Sequence, residues 1–250
     1  MTCTRKILGG LAAAAAMLFS LEANANLIVI GDVDAPNTAQ RPQNYDLLEN
    51  VRNGGTDILW LTGGYAVNSR YTDLRSRWTT AGATITDDLS TNIGSSLAGR
   101  DLVVVSQLWY SQSQFDSAAT AALASYLSGG GEALYIAQVC NGCGANDYLN
   151  DYNAFLANIG SSMAFLPSGG NTSGAEVIDT NTPYGQGVSL FELGGWTAVG
   201  VNGGTAVVTL NGAVGVAYES FTAAVPEPGA IAFFGLALAG IGYGRRRKKA

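Results

Sequence analysis

The sequence predicts an α/β protein in which a mostly parallel sheet carries helices on both faces and is followed by a C-terminal β-meander. Short β-branched apolar runs alternate with amphipathic segments in the first two thirds of the 250-residue chain. Asn-Gly pairs separate runs rich in Thr and Val in the last third. Apolar stretches near both ends predict two flanking hydrophobic helices.

Five apolar runs, most of them ending at glycine or polar residues, predict buried parallel strands, at 27–30, 58–61, 83–86, 101–106 and 132–137. Residues with helical spacing between and after these runs predict four helices, at 44–52, 69–80, 116–127 and 148–159. Because crossovers between parallel strands are right-handed, we expect helices on both faces of the sheet. Strands predicted at 197–201, 205–210 and 214–218 would form the meander at the sheet's edge.

The N-terminus has the three parts of a secretory signal peptide. Arg5 and Lys6 precede an apolar run at 7–19, and Ala23-Asn24-Ala25 supplies small residues for cleavage. We therefore predict a signal peptide at 1–25, export by the Sec machinery and an extracytoplasmic α/β domain at 26–222.

The C-terminal segment 223–250 has a three-part layout of its own. A Pro-Glu-Pro motif precedes a predicted membrane segment at 230–243, and a basic cluster follows that segment. Lys and Arg clustered beside a membrane span keep that side cytoplasmic, so they set the topology here: Arg245, Arg246, Arg247, Lys248 and Lys249. An ordinary tail anchor is the alternative interpretation.

This layout resembles the PEP-CTERM sorting signal, on the evidence of Pro226, Glu227, Pro228, the short Gly- and Ala-rich span and the terminal Arg-rich cluster. The resemblance implies recognition by an exosortase, a membrane protease that cuts near the Pro-Glu-Pro motif. It further implies an inner-membrane-anchored precursor that is delivered to the cell surface or extracellular matrix, in bacteria that make exopolysaccharide.

The α/β region also resembles the class I glutamine-amidotransferase-like fold, which is flavodoxin-like. The resemblance is carried by residues 101–105, by the segment Ser128-Gly-Gly-Gly-Glu-Ala-Leu-Tyr-Ile and by residues 181–190. In catalytic members a nucleophilic Cys follows the strand that corresponds to 132–137. Cys140 is near that place, but the Gly-x-Cys-x-Gly turn is missing.

The charge of the mature region excludes some partners. Residues 26–225 contain six Arg, no Lys and seventeen Asp or Glu, a net charge of −11. An acidic surface of this kind repels phosphate, so we expect neither a nucleic acid nor an anionic lipid as partner.

The chain contains no histidine, which removes the base of Cys-His and Ser-His-Asp relays and the usual ligand of zinc sites. We therefore predict a protein without metal or cofactor that is non-catalytic rather than an enzyme. Cys140 and Cys143 are predicted to form a disulfide in an oxidising compartment. Two free thiols, or thiol redox chemistry, are the alternatives.

Open parallel sheets bind ligands beyond the carboxyl ends of their strands. Residues that follow the predicted strands therefore define a possible ligand crevice: Asp32, Asp34, Gly63, Gly64, Trp109 and Tyr110. Loop capping by the two carboxylates, a calcium site, and a polysaccharide-active hydrolase that uses them remain open. The leading prediction is a structural or binding component associated with exopolysaccharide.

Overall fold

An eight-stranded sheet is the main element of the described residues. The computed structural model describes residues 25–63, 66–106, 115–138, 146–170 and 176–222. Its ten strands are β1 (Ala25–Ile30), β2 (Asp57–Leu61), β3 (Thr84–Asp88), β4 (Leu102–Ser106), β5 (Ala133–Ile136), β6 (Ala164–Gly170), β7 (Glu176–Ile178), β8 (Trp196–Gly200), β9 (Thr205–Leu210) and β10 (Ala213–Phe221). Its four α-helices are α1 (Tyr45–Arg52), α2 (Thr72–Thr80), α3 (Ser117–Ser128) and α4 (Asn146–Asn158).

The strand order in the large sheet is β3-β2-β4-β5-β1-β10-β9-β7. The first five strands in this order pair in parallel, and the last three add antiparallel pairings. This confirms the prediction of an α/β protein with a mostly parallel sheet. All five predicted parallel strands are present, with ends displaced by at most two residues.

The flavodoxin-like strand order is not what the chain adopts. That order, 2-1-3-4-5, places the first strand between the second and third, whereas β1 here lies between β5 and β10. The physical reason is the long C-terminal strand β10, which pairs antiparallel with every residue of β1 from Ala25 to Ile30. One edge of β1 is thus occupied by β10 and the other by β5.

Helices cover both faces of the sheet, as predicted. Alternate residues of the parallel strands enter two separate apolar clusters, so that Ile28 and Ile30 of β1 lie in one and Leu27 and Val29 in the other. The first cluster receives α1 and α2, and the second receives α3 and α4. The described residues 25–221 hold both clusters and form one compact unit, so we expect this unit to fold on its own.

Local sequence explains the bounds of α3. Asp116 caps its start, because the carboxylate accepts a 2.7 Å hydrogen bond from the amide of Ala119. The helix ends at the triglycine 129–131, where the amide of Gly131 donates to the carbonyl oxygen of Tyr126 at 2.9 Å. The triglycine is therefore a helix C-cap that leads into β5.

The predicted three-stranded meander is wrong. Asn211 and Gly212 have φ of 52° and 81°, as a tight hairpin turn requires, and they join β9 to β10. The turn at 202–204 also forms, but the strand before it, β8, pairs with β6 in a separate two-stranded sheet. Gly31 allows this sheet to reach β1, because a Cβ there would lie 1.9 Å from the carbonyl oxygen of Thr197.

In the described ranges no helix is long and apolar enough to cross a bilayer. Both predicted terminal hydrophobic helices lie outside these ranges, as do residues 1–24 of the predicted signal peptide and all of 223–250.

Candidate functional site

The sheet has two places where a ligand crevice is expected. The chain leaves β1 and β2 toward the face that carries α1 and α2, and it leaves β4 and β5 toward the face that carries α3 and α4. Neighbouring strands whose connections leave toward opposite faces open a crevice at their carboxyl ends. This occurs between β2 and β4 and between β5 and β1.

A side-chain hydrogen bond spans each of these places. The indole nitrogen of Trp60 in β2 donates to the Ser106 hydroxyl at the end of β4, at 2.8 Å. Beyond β5, the Gln138 side-chain oxygen accepts a 3.2 Å bond from the amide of Val33, which follows β1. The floor of the candidate crevice is thus ordered by polar contacts between strand ends.

Asp32, the first predicted crevice carboxylate, lies directly after β1 and is 0% exposed. Its Oδ2 accepts 2.7 Å bonds from Nη1 of Arg41 and from the amide of Gly194, and its Oδ1 accepts a 2.7 Å bond from the amide of Asp34. Burial raises the pKa of the Asp32 carboxyl, while Arg41 and the two amides act in the opposite direction. The carboxylate joins the loop after β1 to the segment before β8.

Asp34, the second predicted carboxylate, pairs with the guanidinium of Arg70 near the surface. Beneath this pair lies the fully buried Tyr71, whose hydroxyl has no hydrogen-bond partner within the described part of the chain. Burial raises the pKa of Tyr71 well above its usual range, and the charges of Asp34 and Asp32 act in the same direction. The two carboxylates therefore flank a neutral phenol.

Asn44 is the second buried polar anchor of this region. Its side-chain nitrogen donates to the carbonyl oxygens of Ala35 and Glu192, both at 2.9 Å, and its side-chain oxygen accepts from the amide of Glu192 at 2.7 Å. Nearby, the Thr38 hydroxyl donates to Asp73 of α2 at 2.7 Å. Asn44 and Asp32 together fix the loop after β1.

Of the other predicted crevice residues, Gly63 is buried two residues past the end of β2. Gly64, Trp109, Tyr110, Cys140 and Cys143 lie outside the described residues, so their predicted roles as crevice or disulfide residues stay predictions. Sequence reasoning missed Arg41, Asn44, Gly194 and Gln138. Their hydrogen-bond partners are up to 162 positions away in the sequence, so no local sequence pattern predicts these contacts.

The described part of the chain has no group of three or more His, Cys, Asp or Glu side chains that could hold a metal ion. Several of its carboxylates are instead engaged with guanidinium groups or backbone amides, namely Asp32, Asp34, Asp73 and Asp101. Asp32 and Asn44 thus connect the loop after β1 to the segment before β8.

The molecule is thus a mixed α/β unit whose last strand leads, within a few residues, to a sorting signal. Residues 224–248 match the family model of the PEP-CTERM protein-sorting motif. This match implies export, a membrane-anchored precursor and processing by an exosortase. Comparison with curated proteins and with solved structures gives no match, so no structural neighbour supports the amidotransferase-like resemblance.

Proposed function

We propose that the chain is a non-catalytic structural or binding component of an exopolysaccharide-containing cell surface or matrix. The observation that carries the proposal is the sorting motif at 224–248, which begins three residues after β10 ends at Phe221. An acidic, lysine-free domain suits a neutral glycan partner better than an anionic one.

The contacts of Asp32 and Asp34 favour binding over hydrolysis. A general acid or base must reach the substrate's proton within hydrogen-bond distance, and Asp32 has no exposed surface and three hydrogen-bond donors already bound to it. Asp34 is paired with Arg70. In this arrangement the two carboxylates shape the loop beside the crevice.

We expect the exosortase step to depend on the Pro-Glu-Pro motif. In the producing bacterium, Pro226→Ala/Pro228→Ala should accumulate in the inner membrane as a precursor that keeps Arg245–Lys249, whereas the wild-type surface form should lack these residues. Intact-mass analysis of the inner-membrane and cell-surface fractions shows whether the basic cluster is still attached in each. The exposed Pro167→Ala is the matched control and should be processed normally. A wild-type surface form that retains the basic cluster would contradict the proposed sorting.

The binding half of the proposal has a separate test. Residues 26–222 should be retained on exopolysaccharide from the producing cells, and Trp109→Ala and Tyr110→Ala should each weaken binding about tenfold or more, because aromatic anchors dominate such sites. Glycan-array binding and affinity electrophoresis measure the effect. Tyr45→Ala, on α1, where the Tyr45 ring lies against the guanidinium of Arg77 in α2, should bind like the wild type. Equal binding by all four proteins would reject the crevice as the glycan site.

A further inference from the structure

A polar cavity of about 360 Å³ lies at the amino end of the parallel strands, opposite the candidate crevice. Asn26 of β1, Glu132 before β5, and Tyr184 are among the residues that line it. The Tyr184 hydroxyl donates to Oε1 of Glu132 at 2.8 Å, and Asn26 lines the same cavity. The cavity therefore surrounds one carboxyl group with neutral hydrogen-bonding partners.

Glu132 forms no ion pair within the described ranges. The guanidinium groups nearest along the neighbouring cavity wall are engaged elsewhere, since Arg52 pairs with Glu49 and Arg100 pairs with Asp57. Burial raises the pKa of Glu132 to about 6, against the opposing effect of the Tyr184 hydroxyl. A half-buried carboxylate of this kind is stabilised by any cation that reaches it.

The other charged and titratable groups around this carboxyl already have partners. Asp101 accepts hydrogen bonds from the amides of Thr56 and Asp57. The Tyr126 hydroxyl donates to the backbone carbonyl oxygen of Glu132 at 3.1 Å. Tyr218 packs edge-on against Tyr184. None of these groups supplies a positive charge.

The strand register brings the start of β1 beside Glu132. Leu27 is the partner of Ala133, so one residue earlier Asn26 stands next to Glu132. Ile30 accepts a hydrogen bond from the amide of Ala137, beyond β5. In a strand, the N–H and C=O of one residue point to the same side, and those of the next residue point to the opposite side. Asn26 and Ile30 are an even number of residues apart, so the backbone nitrogen of Asn26 also points toward β5.

We propose that the cavity binds a primary ammonium group, and that this group is the α-ammonium of Asn26 formed when the signal peptide is removed after Ala25. The inference rests on the proposed export. Hydrolysis of the Ala25–Asn26 bond consumes one water, leaves a carboxylate on Ala25 and frees an amine on Asn26 that takes up a proton. Cleavage thus supplies a cation beside Glu132, which has no ion-pair partner among the described residues, and processing stabilises the folded domain.

β1 stays anchored after the cut. Asn26 retains its pairing with Ser220 of β10, and the Ser220 hydroxyl donates to Oδ1 of Asn26 at 2.7 Å. Among the described strand pairings, the cut removes that of Ala25 with Phe221. The new terminus is therefore held where its charge can act.

The lysine-free composition of 26–222 makes a clean test possible, because the α-amine is the one primary amine in that segment. Acetylation removes its charge, and reductive dimethylation keeps it. At pH 7, we expect acetylation to lower the folding equilibrium constant of residues 26–222 about tenfold, equivalent to one pKa unit of coupling. Dimethylation should change it less than about twofold. Urea unfolding monitored by tryptophan fluorescence measures both.

Glu132→Gln completes the cycle, since its amide oxygen can still accept the Tyr184 hydroxyl. In this variant acetylation should change the folding constant less than about twofold, whereas in the exposed Glu192→Gln control the full effect should remain. With ¹³C-methyl groups on the amine, NMR titration should show a higher amine pKa in the wild type than in Glu132→Gln. Extension of the chain by Ala25 should abolish the difference, because that amine points toward β10.

Equal acetylation effects in the wild type and in Glu132→Gln, or equal amine pKa values, would overturn the proposal. N-terminal sequencing of the exported protein should give Asn26 as the first residue, and a different first residue would also overturn it. Recovery of the chain with its leader intact would contradict the proposed export. The measurements on purified residues 26–222 test the ammonium site alone and do not test export.

Discussion

Replacement of Arg41 by Met should lower the free energy of unfolding of residues 26–222 by about 3–5 kcal/mol, because it leaves the buried Asp32 carboxylate without its cation. Asp32 is fully buried and the Arg41 side chain is 18% exposed, so water cannot replace the lost partner. The two backbone amides that remain on Asp32 provide hydrogen bonds but no net charge. Chemical denaturation in urea measures the loss.

The pH dependence of the Arg41→Met variant provides a second readout. Arg41 lowers the pKa of Asp32 against the raising effect of burial, so its removal raises that pKa further. A carboxyl with a raised folded-state pKa loses stability as the pH rises through that pKa. The stability deficit relative to the wild type should therefore grow as the pH rises above about 4, the ordinary pKa of an Asp carboxyl.

Two variants separate charge loss from general damage. Arg41→Lys keeps the charge and should lose less stability than Arg41→Met. Arg77→Met removes a surface pair with Asp73, whose side chains are 41% and 34% exposed, and should cost less than about 1 kcal/mol. A loss for Arg41→Met as small as that for Arg77→Met would show that Asp32 does not need its cation.

The parallel half of the sheet could be predicted from sequence because its signals are local. The cores of β2, β4 and β5 are buried on both faces, so each reads as an uninterrupted apolar run. The start of α3 was equally visible, because Asp116 stands where an N-cap is needed. Strand order was not visible, since β1 and β10 pair across about 190 positions.

Two strands escaped prediction for physical reasons. β6 contains Pro167 and two glycines, which weaken any strand pattern, and β7 has only three residues. Their presence depends on partners distant in sequence, β8 for β6 and β9 for β7. The hairpin signal at 202–204 misled for the same reason, because a turn reports local geometry and not which strands will pair.

The candidate site divides in the same way. Its position beyond the strand ends was predicted from the α/β pattern, and so was the place of Asp32 beside it. The sequence does not show whether this carboxylate is exposed to solvent or is buried and hydrogen-bonded to Arg41 and Gly194, because these partners are 9 and 162 positions away. Glu132 was missed as a site residue because its lack of a cation becomes visible only when β1, β5 and Tyr184 are brought together.

Substitution of Asn44 by Ala should cost about 3 kcal/mol or more. It leaves the carbonyl oxygens of Ala35 and Glu192 and the amide of Glu192 without partners, and each buried polar group left unpaired costs about 1–3 kcal/mol. The loss should be visible in urea unfolding. Hydrogen exchange at the Glu192 amide should also accelerate more than exchange in the parallel strands, because the segment before β8 loses its attachment to Asn44, the residue that precedes α1.

Asn50→Ala is the matched control for this prediction. Asn50 also bonds two backbone carbonyls of a distant segment, those of Tyr184 and Gln186 at 3.0 and 2.8 Å, but it does so near the surface. Water can satisfy those carbonyls when the side chain is removed, so the expected cost is below about 1 kcal/mol. If the two variants lost equal stability, burial would not be what makes Asn44 important.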